Sequence, residues 1–191
     1  FILAFLTILM LMAVSASAQA NVNLGTAANF ATLAATTITN TGATNLTGDL
    51  GLSPNDVSSV TGFLIVDSGP GLVFGEIHAA DAVASLAQSD LTAAYNDAAG
   101  RSSDVVIIAS GELAGATLTP GLYRSGISSF ALSSGELTLD AQGNASAVFI
   151  FQMPSSTLTT ISDTSVVLLN GADPCNIFWQ VGSSATLGTN S

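Results

Sequence analysis

Three stretches of the chain repeat one pattern with a 28-residue period, and an aromatic side chain stands at the same place in each. The aligned aromatic residues are Tyr123, Phe151 and Trp179, and the glycines Gly115, Gly143 and Gly171 keep the same interval. A fixed period of this length, β-rich and without helical periodicity inside it, is typical of a solenoid. At about 3.3 Å per strand residue, one period accommodates three short strands and three corners. We therefore predict that residues 105–191 form stacked, three-sided coils of a β-helix.

Two segments of this repeat, residues 148–151 and 177–179, are apolar at almost every position. Because successive side chains of a strand point to opposite faces, both faces of these strands should be buried. One face then turns into the core of the solenoid, and the other needs a cover. On another side, residues 137–140 are predicted to pair at the same 28-residue offset with residues 165–168.

The apolar period becomes that of an amphipathic helix between residues 79 and 99. Gly100 is a suitable stop, and Arg101 follows near the negative end of the helix dipole. We expect this helix to cover the free apolar face of the repeat, above the three aligned aromatic side chains. The predicted apolar stripe is Val83, Ala87, Leu91, Ala94, Tyr95 and Ala98.

The segment before the helix is rich in threonine and glycine. Threonine fits a pleated surface, and glycine makes corners. Residues 23–51 are therefore predicted to form a first coil that lies outside the 28-residue array. Residues 55–78, with Gly-Pro-Gly at 69–71, are predicted to be an irregular insertion.

Charge is scarce and almost all of one sign: two basic residues face 13 acidic ones, for a net charge of −11. Nucleic acids and anionic lipids both require clustered cations, so neither is expected as a partner. The apolar run at residues 1–18 ends in Ala-Ser-Ala, which predicts a secretory leader, incomplete at its start, rather than a membrane anchor. We expect a secreted domain over 19–191, without its last coil, in which the single cysteine, Cys175, is a buried filler.

Catalytic candidates are few. Glu112 and Asp140 lie one period apart, so the repeat could stack their carboxylates about 4.8 Å apart, close enough to share a proton. A polysaccharide-active β-helix would use such a pair, but solvated corner positions explain the two acids more simply. The only histidine, His78, precedes the helix and is expected to cap it or lie on the surface. The sequence predicts no metal ligand set and no cofactor.

The remaining feature is a side of small hydroxyl-bearing residues. Threonine combines a methyl and a hydroxyl group on a stiff rotamer, so a regular row of threonines can hold a layer of ordered water. Ordinary β propensity also explains threonine-rich strands, and the residues alone favour that simpler explanation. The side that carries Glu136 and Asp140 is excluded because charged groups disturb such a layer. The candidates are Ser129, Thr157, Thr159 and Thr186, with Thr36, Thr37, Thr39, Thr41 and Thr44 of the first coil.

Five separated motifs resemble the microbial ice-binding (antifreeze) proteins. They are LGTAANF at 24–30, the segment 38–48, AYNDA at 94–98, LTPGLY at 118–123 and NIFWQV at 176–181. The resemblance implies a right-handed, discontinuous β-solenoid with a long helix alongside, in which the first coil lies beside the last. It also implies a monomer without cofactor that adsorbs to ice, produces thermal hysteresis and inhibits ice recrystallisation.

Some members of that family carry a T-[A/G]-x-[T/N] pattern on the ice-binding side. Thr41–Thr44 fits this pattern, and so does the stretch from Thr26 to Asn29, which adds these two residues as weaker candidates. Two other classes of function remain as alternatives: a secreted polysaccharide-active or polysaccharide-binding β-helix using Glu112 and Asp140, and a structural or adhesive surface solenoid.

Overall fold

The computed structural model describes residues 19–191, and the predicted leader at 1–18 lies outside the described residues. The described chain is mainly β, with short parallel strands and one long helix. Its strands form two regions separated in sequence by that helix: an N-terminal region, residues 30–79, and a C-terminal region, residues 105–186. Among the strands described, no sheet combines members of both regions.

The N-terminal region contains seven short strands, a 3₁₀ turn at Val57–Ser59 and a one-turn α-helix. The strands and the α-helix are β1 (Phe30–Ala34), β2 (Ile38–Thr39), β3 (Asn45–Thr47), β4 (Asp49–Leu52), β5 (Val60–Thr61), α1 (Leu64–Asp67), β6 (Leu72–Phe74) and β7 (Ile77–Ala79). They form three parallel sheets, β1-β4-β7, β2-β5 and β3-β6, which the chain visits in turn. We call one passage through the three sheets a circuit.

The prediction of an irregular insertion at 55–78 is wrong. This segment forms β5, α1, β6 and β7, and β5 and β6 pair with strands of the first circuit. Val60 and Phe63 are buried with Leu50 and Leu52 in a small apolar core. Strands of two or three residues are too short to show a period in the sequence, so only their pairing reveals them.

Helix α2 (Ala82–Gly100) confirms the predicted long helix. It begins after Asp81, whose carboxylate accepts a hydrogen bond from the amide of Ala84 at 2.8 Å, as expected of an N-cap. Across residues 19–191, no helix combines the length and the apolar character that a membrane crossing requires.

The buried stripe of α2 differs in part from the predicted one. Ala87, Ala94 and Ala98 are buried as predicted, and Ala84 joins them, whereas Val83 is exposed. Leu91 and Tyr95 lie at the rim of the contact, 36% and 38% exposed. Alanines at the centre allow the helix axis to approach the strands closely, so the larger side chains are displaced to the edge.

The C-terminal region contains ten strands. They are β8 (Val105–Ile108), β9 (Thr117–Leu118), β10 (Gly121–Ser125), β11 (Phe130–Leu132), β12 (Glu136–Asp140), β13 (Phe149–Met153), β14 (Leu158–Thr160), β15 (Ser165–Leu169), β16 (Ile177–Val181) and β17 (Ala185–Thr186). Three parallel sheets result, which we call the first, second and third in the order in which β10, β11 and β12 enter them. Their strand orders are β8-β10-β13-β16, β11-β14-β17 and β9-β12-β15.

The 28-residue register is confirmed in the first sheet, where Tyr123 pairs with Phe151 and Phe151 with Trp179. The three rings stack with centroid distances of 5.4 Å and 4.1 Å. The aligned glycines Gly115, Gly143 and Gly171 have φ values of 71°, 83° and 87°. Glycine recurs there because this left-handed backbone conformation is unfavourable for other residues.

The expectation that the aromatic stack lies beneath the helix is wrong. Tyr123 and Phe151 are buried in the interior of the circuits, with Leu137 and Leu139 of the third sheet. The side chains that pack against α2 belong to the alternate positions Leu122 and Ile150. Both parities of these strands are apolar, so the sequence could show that both faces are buried but not which one faces the helix.

The 28-residue offset does not hold on every side. In the third sheet the partner of Ser165 is Glu136, whereas the sequence predicted Leu137. The offset on this side is therefore longer than the period by one position. In the second sheet Leu158 pairs with Ala185, and that offset is shorter than the period by one position. The first circuit of the C-terminal region is shorter still, since Val105 pairs with Leu122. Corners of unequal length shift the register on one side without disturbing the neighbouring sheet.

Helix α2 joins the two regions. It contacts β1, β4 and β7 of the N-terminal region and β13 and β16 of the C-terminal region. At its end Arg101 forms an ion pair with Asp97 and donates hydrogen bonds to the carbonyls of Ala20 and Asn21. The predicted position of Arg101 at the negative end of the helix is confirmed, and the residue also holds Ala20 and Asn21 against this end of the helix.

Cys175 is exposed, so its prediction as a buried filler is wrong. It lies in a single 3₁₀ turn, Pro174–Asn176, where its amide donates a hydrogen bond to the carboxylate of Asp173. The strand after it, β16, is largely covered, but the corner that carries Cys175 reaches the surface.

Candidate functional site

The predicted carboxylate pair does not form. Glu112 bridges to Ala131 next to the second sheet, whereas Asp140 ends β12 and pairs with Leu169 in the third sheet. The carboxylate of Asp140 accepts hydrogen bonds from Asn170 and from the amide of Gln142, which lower the pKa of the Asp140 carboxyl. The two acids lie on different sides of the circuit, so they cannot share a proton.

His78 has the structural role that the sequence favoured. Its Nδ1 lies 2.8 Å from a carboxylate oxygen of Asp81, the N-cap of α2, and its ring meets the ring of Phe30 edge to face. The histidine therefore supports the start of the helix.

An apolar pocket of about 420 Å³ lies beside the last circuit and is the interior of the circuits seen from one end. Its walls include Leu132, Leu137 and Leu158, which belong to the core, and none of its lining side chains is acidic or basic. Such a lining offers no group for acid–base chemistry.

The second sheet presents a row of small side chains to the outside. Phe130, Leu132 and Leu158 of this sheet point inward and are buried. Because side chains alternate along a strand, the residues between them point outward. The strand pairing places these outward residues side by side: Ala131 opposite Thr159, and Thr159 opposite Thr186.

The predicted residues of this side are thus brought together. Thr159 and Thr186 are exposed members of the row, and Ser129 and Thr157 are half-buried at the strand entrances beside it. Ala131 was missed because the predicted row consisted of hydroxyl-bearing residues only. The 28-residue offset from Thr159 could have identified it.

The N-terminal region repeats this arrangement on β2 and β5. Ile38 pairs with Val60 and Thr39 with Thr61. Val60 is buried, whereas Thr39 and Thr61 are exposed, and the hydroxyl of Thr61 donates to that of Thr39 at 3.3 Å. Thr61 was missed because its segment was interpreted as irregular. The alternation of Val60 and Thr61 is the signal that could have identified it.

The other threonines of the first coil lie nearby but not in this row. Thr36 and Thr37 are exposed just before β2, and Thr41 and Thr44 are exposed in the loop after it. The hydroxyl of Thr44 donates to the side-chain oxygen of Asn40 at 2.7 Å, which helps to shape that loop.

The two weaker candidates are located elsewhere. Thr26 and Asn29 belong to a 3₁₀ helix, Gly25–Asn29, that packs against α2. Both the amide and the hydroxyl of Thr26 donate to the carboxylate of Asp90, each at 2.7 Å. These bonds lower the pKa of the Asp90 carboxyl. They also fix Thr26 to the helix, away from the strand rows.

Charge is distributed unevenly over the sides of the molecule. Strands β2, β5, β11, β14 and β17 contain no Asp, Glu, Lys or Arg. Charged residues lie on other sides. Strand β12 of the third sheet carries Glu136 and Asp140, and helix α2 carries Asp90 and Asp97. We call the outward residues of β2, β5, β11, β14 and β17 the uncharged face; they are Thr39, Thr61, Ala131, Thr159 and Thr186.

Fold and site together define the class of this protein: a mainly β body, flanked by one long helix, that presents regular rows of small neutral side chains. The ice-binding-like family model matches residues 32–191. The chain therefore belongs to the ice-binding-like family.

Individual relatives agree with this assignment. The chain is 46% identical over 170 residues to an ice-binding protein of Nostoc sp. (strain HG1), covering 88% of this chain and 58% of that protein. It is 36% identical over 178 residues to an ice-binding protein of Flavobacterium frigoris (strain PS1), covering 89% of this chain and 62% of that protein. The chain thus spans about three fifths of the length of these relatives.

Solved structures share the fold. The crystal structure of an ice binding protein from an Antarctic biological consortium superimposes with a TM-score of 0.81 at 50% identity, covering 90% of this chain and 73% of that one. The ice-binding protein of the Antarctic ascomycete Antarctomyces psychrotrophicus gives a TM-score of 0.79 at 36% identity, with coverages of 88% and 78%.

Proposed function

We propose that this protein adsorbs to ice through the uncharged face, and that it thereby produces thermal hysteresis and inhibits ice recrystallisation. The observation that carries the proposal is the row Ala131–Thr159–Thr186, in which small outward side chains, half-buried at Ala131 and exposed at the two threonines, lie opposite one another on neighbouring parallel strands. Relatives that are named ice-binding proteins support it. Since the chain spans about three fifths of their length, the activity of the whole protein is part of this proposal.

The physical basis is the regular spacing of neutral groups. Neighbouring strands lie about 4.8 Å apart, so the row repeats its methyl and hydroxyl groups at that interval. The β-branched threonine side chains hold one rotamer and lose little entropy when the surface is covered. Water over such a row can adopt a regular arrangement, because no charged group of these strands imposes its own hydration shell. The role requires no catalytic group and no cofactor.

We further propose that the circuits form a right-handed, three-sided and discontinuous β-solenoid. Parallel crossover connections are right-handed in nearly all proteins, which supports this hand for both regions. Helix α2 contacts β1, in the first circuit, and β16, in the last one, which supports placing these circuits near each other. With the same hand in both regions, Thr39 and Thr61 would lie on the same side as Thr159 and Thr186.

Secretion also belongs to the proposal. The apolar run at 1–18 with its Ala-Ser-Ala end supports a cleaved leader, and an extracellular monomer that meets ice directly is consistent with the charge of −11. The leader can be checked by the N-terminal sequence of the protein recovered outside a secreting host.

The test of ice adsorption is a pair of bulky substitutions at exposed threonines. Thr159→Tyr places a ring in the middle of the uncharged face and should abolish most thermal hysteresis, because the face can no longer approach the crystal. Thr117→Tyr is the matched control, since Thr117 is also an exposed strand threonine but lies in the third sheet, opposite Thr138. Both variants should melt close to the parent protein. Loss of hysteresis in the Thr117 variant alone would mean that the wrong side has been chosen.

A further inference from the structure

Glu112 lies at one end of the row Ala131–Thr159–Thr186. It forms a parallel bridge with Ala131, which places it one strand beyond Ala131 in the row that continues to Thr159 and Thr186. The next residue, Leu113, is buried in the core. By alternation the side chain of Glu112 therefore starts from the outer surface.

The carboxylate of Glu112 is held in one place. One oxygen accepts hydrogen bonds from the amides of Leu113, Ala114 and Ser133 at 3.1, 2.9 and 3.2 Å. The other oxygen accepts from the hydroxyl of Ser133 at 2.5 Å. Burial raises the pKa of the Glu112 carboxyl, but these hydrogen bonds outweigh it and hold the pKa below its ordinary value. The group is therefore ionised at neutral pH.

A fixed anion differs from every other member of this row. An ionised carboxylate binds water strongly and in its own geometry. Water above Glu112 is therefore oriented toward the carboxylate, whereas water above Ala131 and Thr159 faces only methyl and hydroxyl groups. The neutral row thus ends at Ala131, although the strand geometry continues for one more position.

We propose that Glu112 sets the boundary of the ice-binding face, so that the protein engages ice over fewer strands than its fold provides. This inference rests on the proposed adsorption to ice through the uncharged face. It makes Glu112 a residue that limits activity, whereas a purely structural role would make it only a cap that holds the corner at Ser133.

Two substitutions test this boundary. Glu112→Thr adds a small neutral position to the row, and thermal hysteresis at equal protein concentration should rise by roughly one fifth, since the five-residue uncharged face gains a sixth member in contact with ice. Glu112→Gln removes the charge but keeps an oxygen for the amides of Leu113 and Ala114, so it should give a smaller gain even if the threonine variant folds poorly. Glu136→Gln removes the same charge from the third sheet and should leave hysteresis unchanged.

The outcomes separate this inference from the proposed function. If Thr159→Tyr abolishes hysteresis but both Glu112 variants match the parent, Glu112 is only a structural cap and the inference is wrong. An equal gain in Glu136→Gln would assign the effect to net charge and would also overturn it. If Thr159→Tyr has no effect, the adsorption surface itself is wrong, and the inference fails with it. A gain in hysteresis for the Glu112 variants alone supports the boundary.

Discussion

The two regions of the molecule use the same parallel pairing but differ in regularity. In the C-terminal region the circuits that link Tyr123, Phe151 and Trp179 are nearly equal in length, so the three rings stack on one another. In the N-terminal region the strand partners are unevenly spaced along the chain, since Phe30 pairs with Asp49 whereas Asn45 pairs with Leu72. The N-terminal core is correspondingly small, with four buried apolar side chains at its centre.

This difference shows what equal circuits provide. When circuits have the same length, like residues meet on neighbouring strands, and large flat side chains can form a continuous stack. When lengths vary, each circuit must find its own packing, and short elements such as α1 fill the corners. The C-terminal region should therefore contribute more of the stability, while α2 connects the N-terminal region to it.

The largest expected effect concerns the aromatic stack. Phe151→Ala removes a fully buried ring between two others, which should lower the free energy of unfolding by about 3–5 kcal/mol. Phe63→Ala, at the centre of the N-terminal core, should cost less because that core is smaller. Urea unfolding followed by Trp179 fluorescence measures both. An equal or larger loss in the Phe63 variant would contradict the stronger contribution of the regular region.

An intermediate effect is expected where the helix meets the C-terminal region. The side-chain amide of Gln152 donates to the carbonyls of Ala98 and Arg101 at 2.6 and 2.9 Å and accepts from Arg124 at 2.8 Å. Gln152→Leu leaves these partners unpaired and should cost about 1–3 kcal/mol of unfolding free energy, measured by thermal melts.

The neighbouring strand offers a matched control for this substitution. Gln180 pairs with Gln152, and its buried Oε1 has no hydrogen-bond partner among the described residues. Gln180→Leu should therefore be neutral or stabilising in the same thermal melts, because it removes an unpaired polar atom. Equal losses at the two positions would show that burial of the side chain, and not its bonding, determines the cost.

The smallest effect is a pH dependence confined to the N-terminal region. The amide of Gly62 is the main donor to the carboxylate of Asp67, whose pKa is lowered as a result. A folded pKa below the unfolded value means that ionised Asp67 stabilises the fold above the unfolded pKa, and that this contribution is lost as the pH falls through the folded pKa. The protection factor of the Gly62 amide, which is the exchange rate corrected for its intrinsic pH dependence, should fall with acid in the parent protein. Asp67→Asn should remove the dependence; an unchanged acid response would exclude Asp67 as its source.

The candidate site divides along the same line as the fold. In the C-terminal region the 28-residue register assigned Thr159 and Thr186 to one side of the circuit, but only the one-residue shift seen in the structure places Thr186 opposite Thr159 and not opposite the buried Leu158. In the N-terminal region no period exists to align strands, so Thr61 was missed and Thr41 and Thr44 were included although they lie in a loop. Thr26 was selected by a short pattern, and its bonds to Asp90 could not be read from that pattern.

The sequence by itself determined the repeat of the C-terminal region, the existence of α2 and the scarcity of charge, because each depends on the order of residues along one stretch of chain. Only the tertiary structure decided which face of the aromatic strands meets the helix, which threonines share a row, and that Glu112 and Asp140 lie on different sides. The physical reason is that apolar alternation is symmetric with respect to the two faces of a strand. A corner that is longer or shorter by one residue changes the partners of the strand that follows it while leaving the local pattern the same.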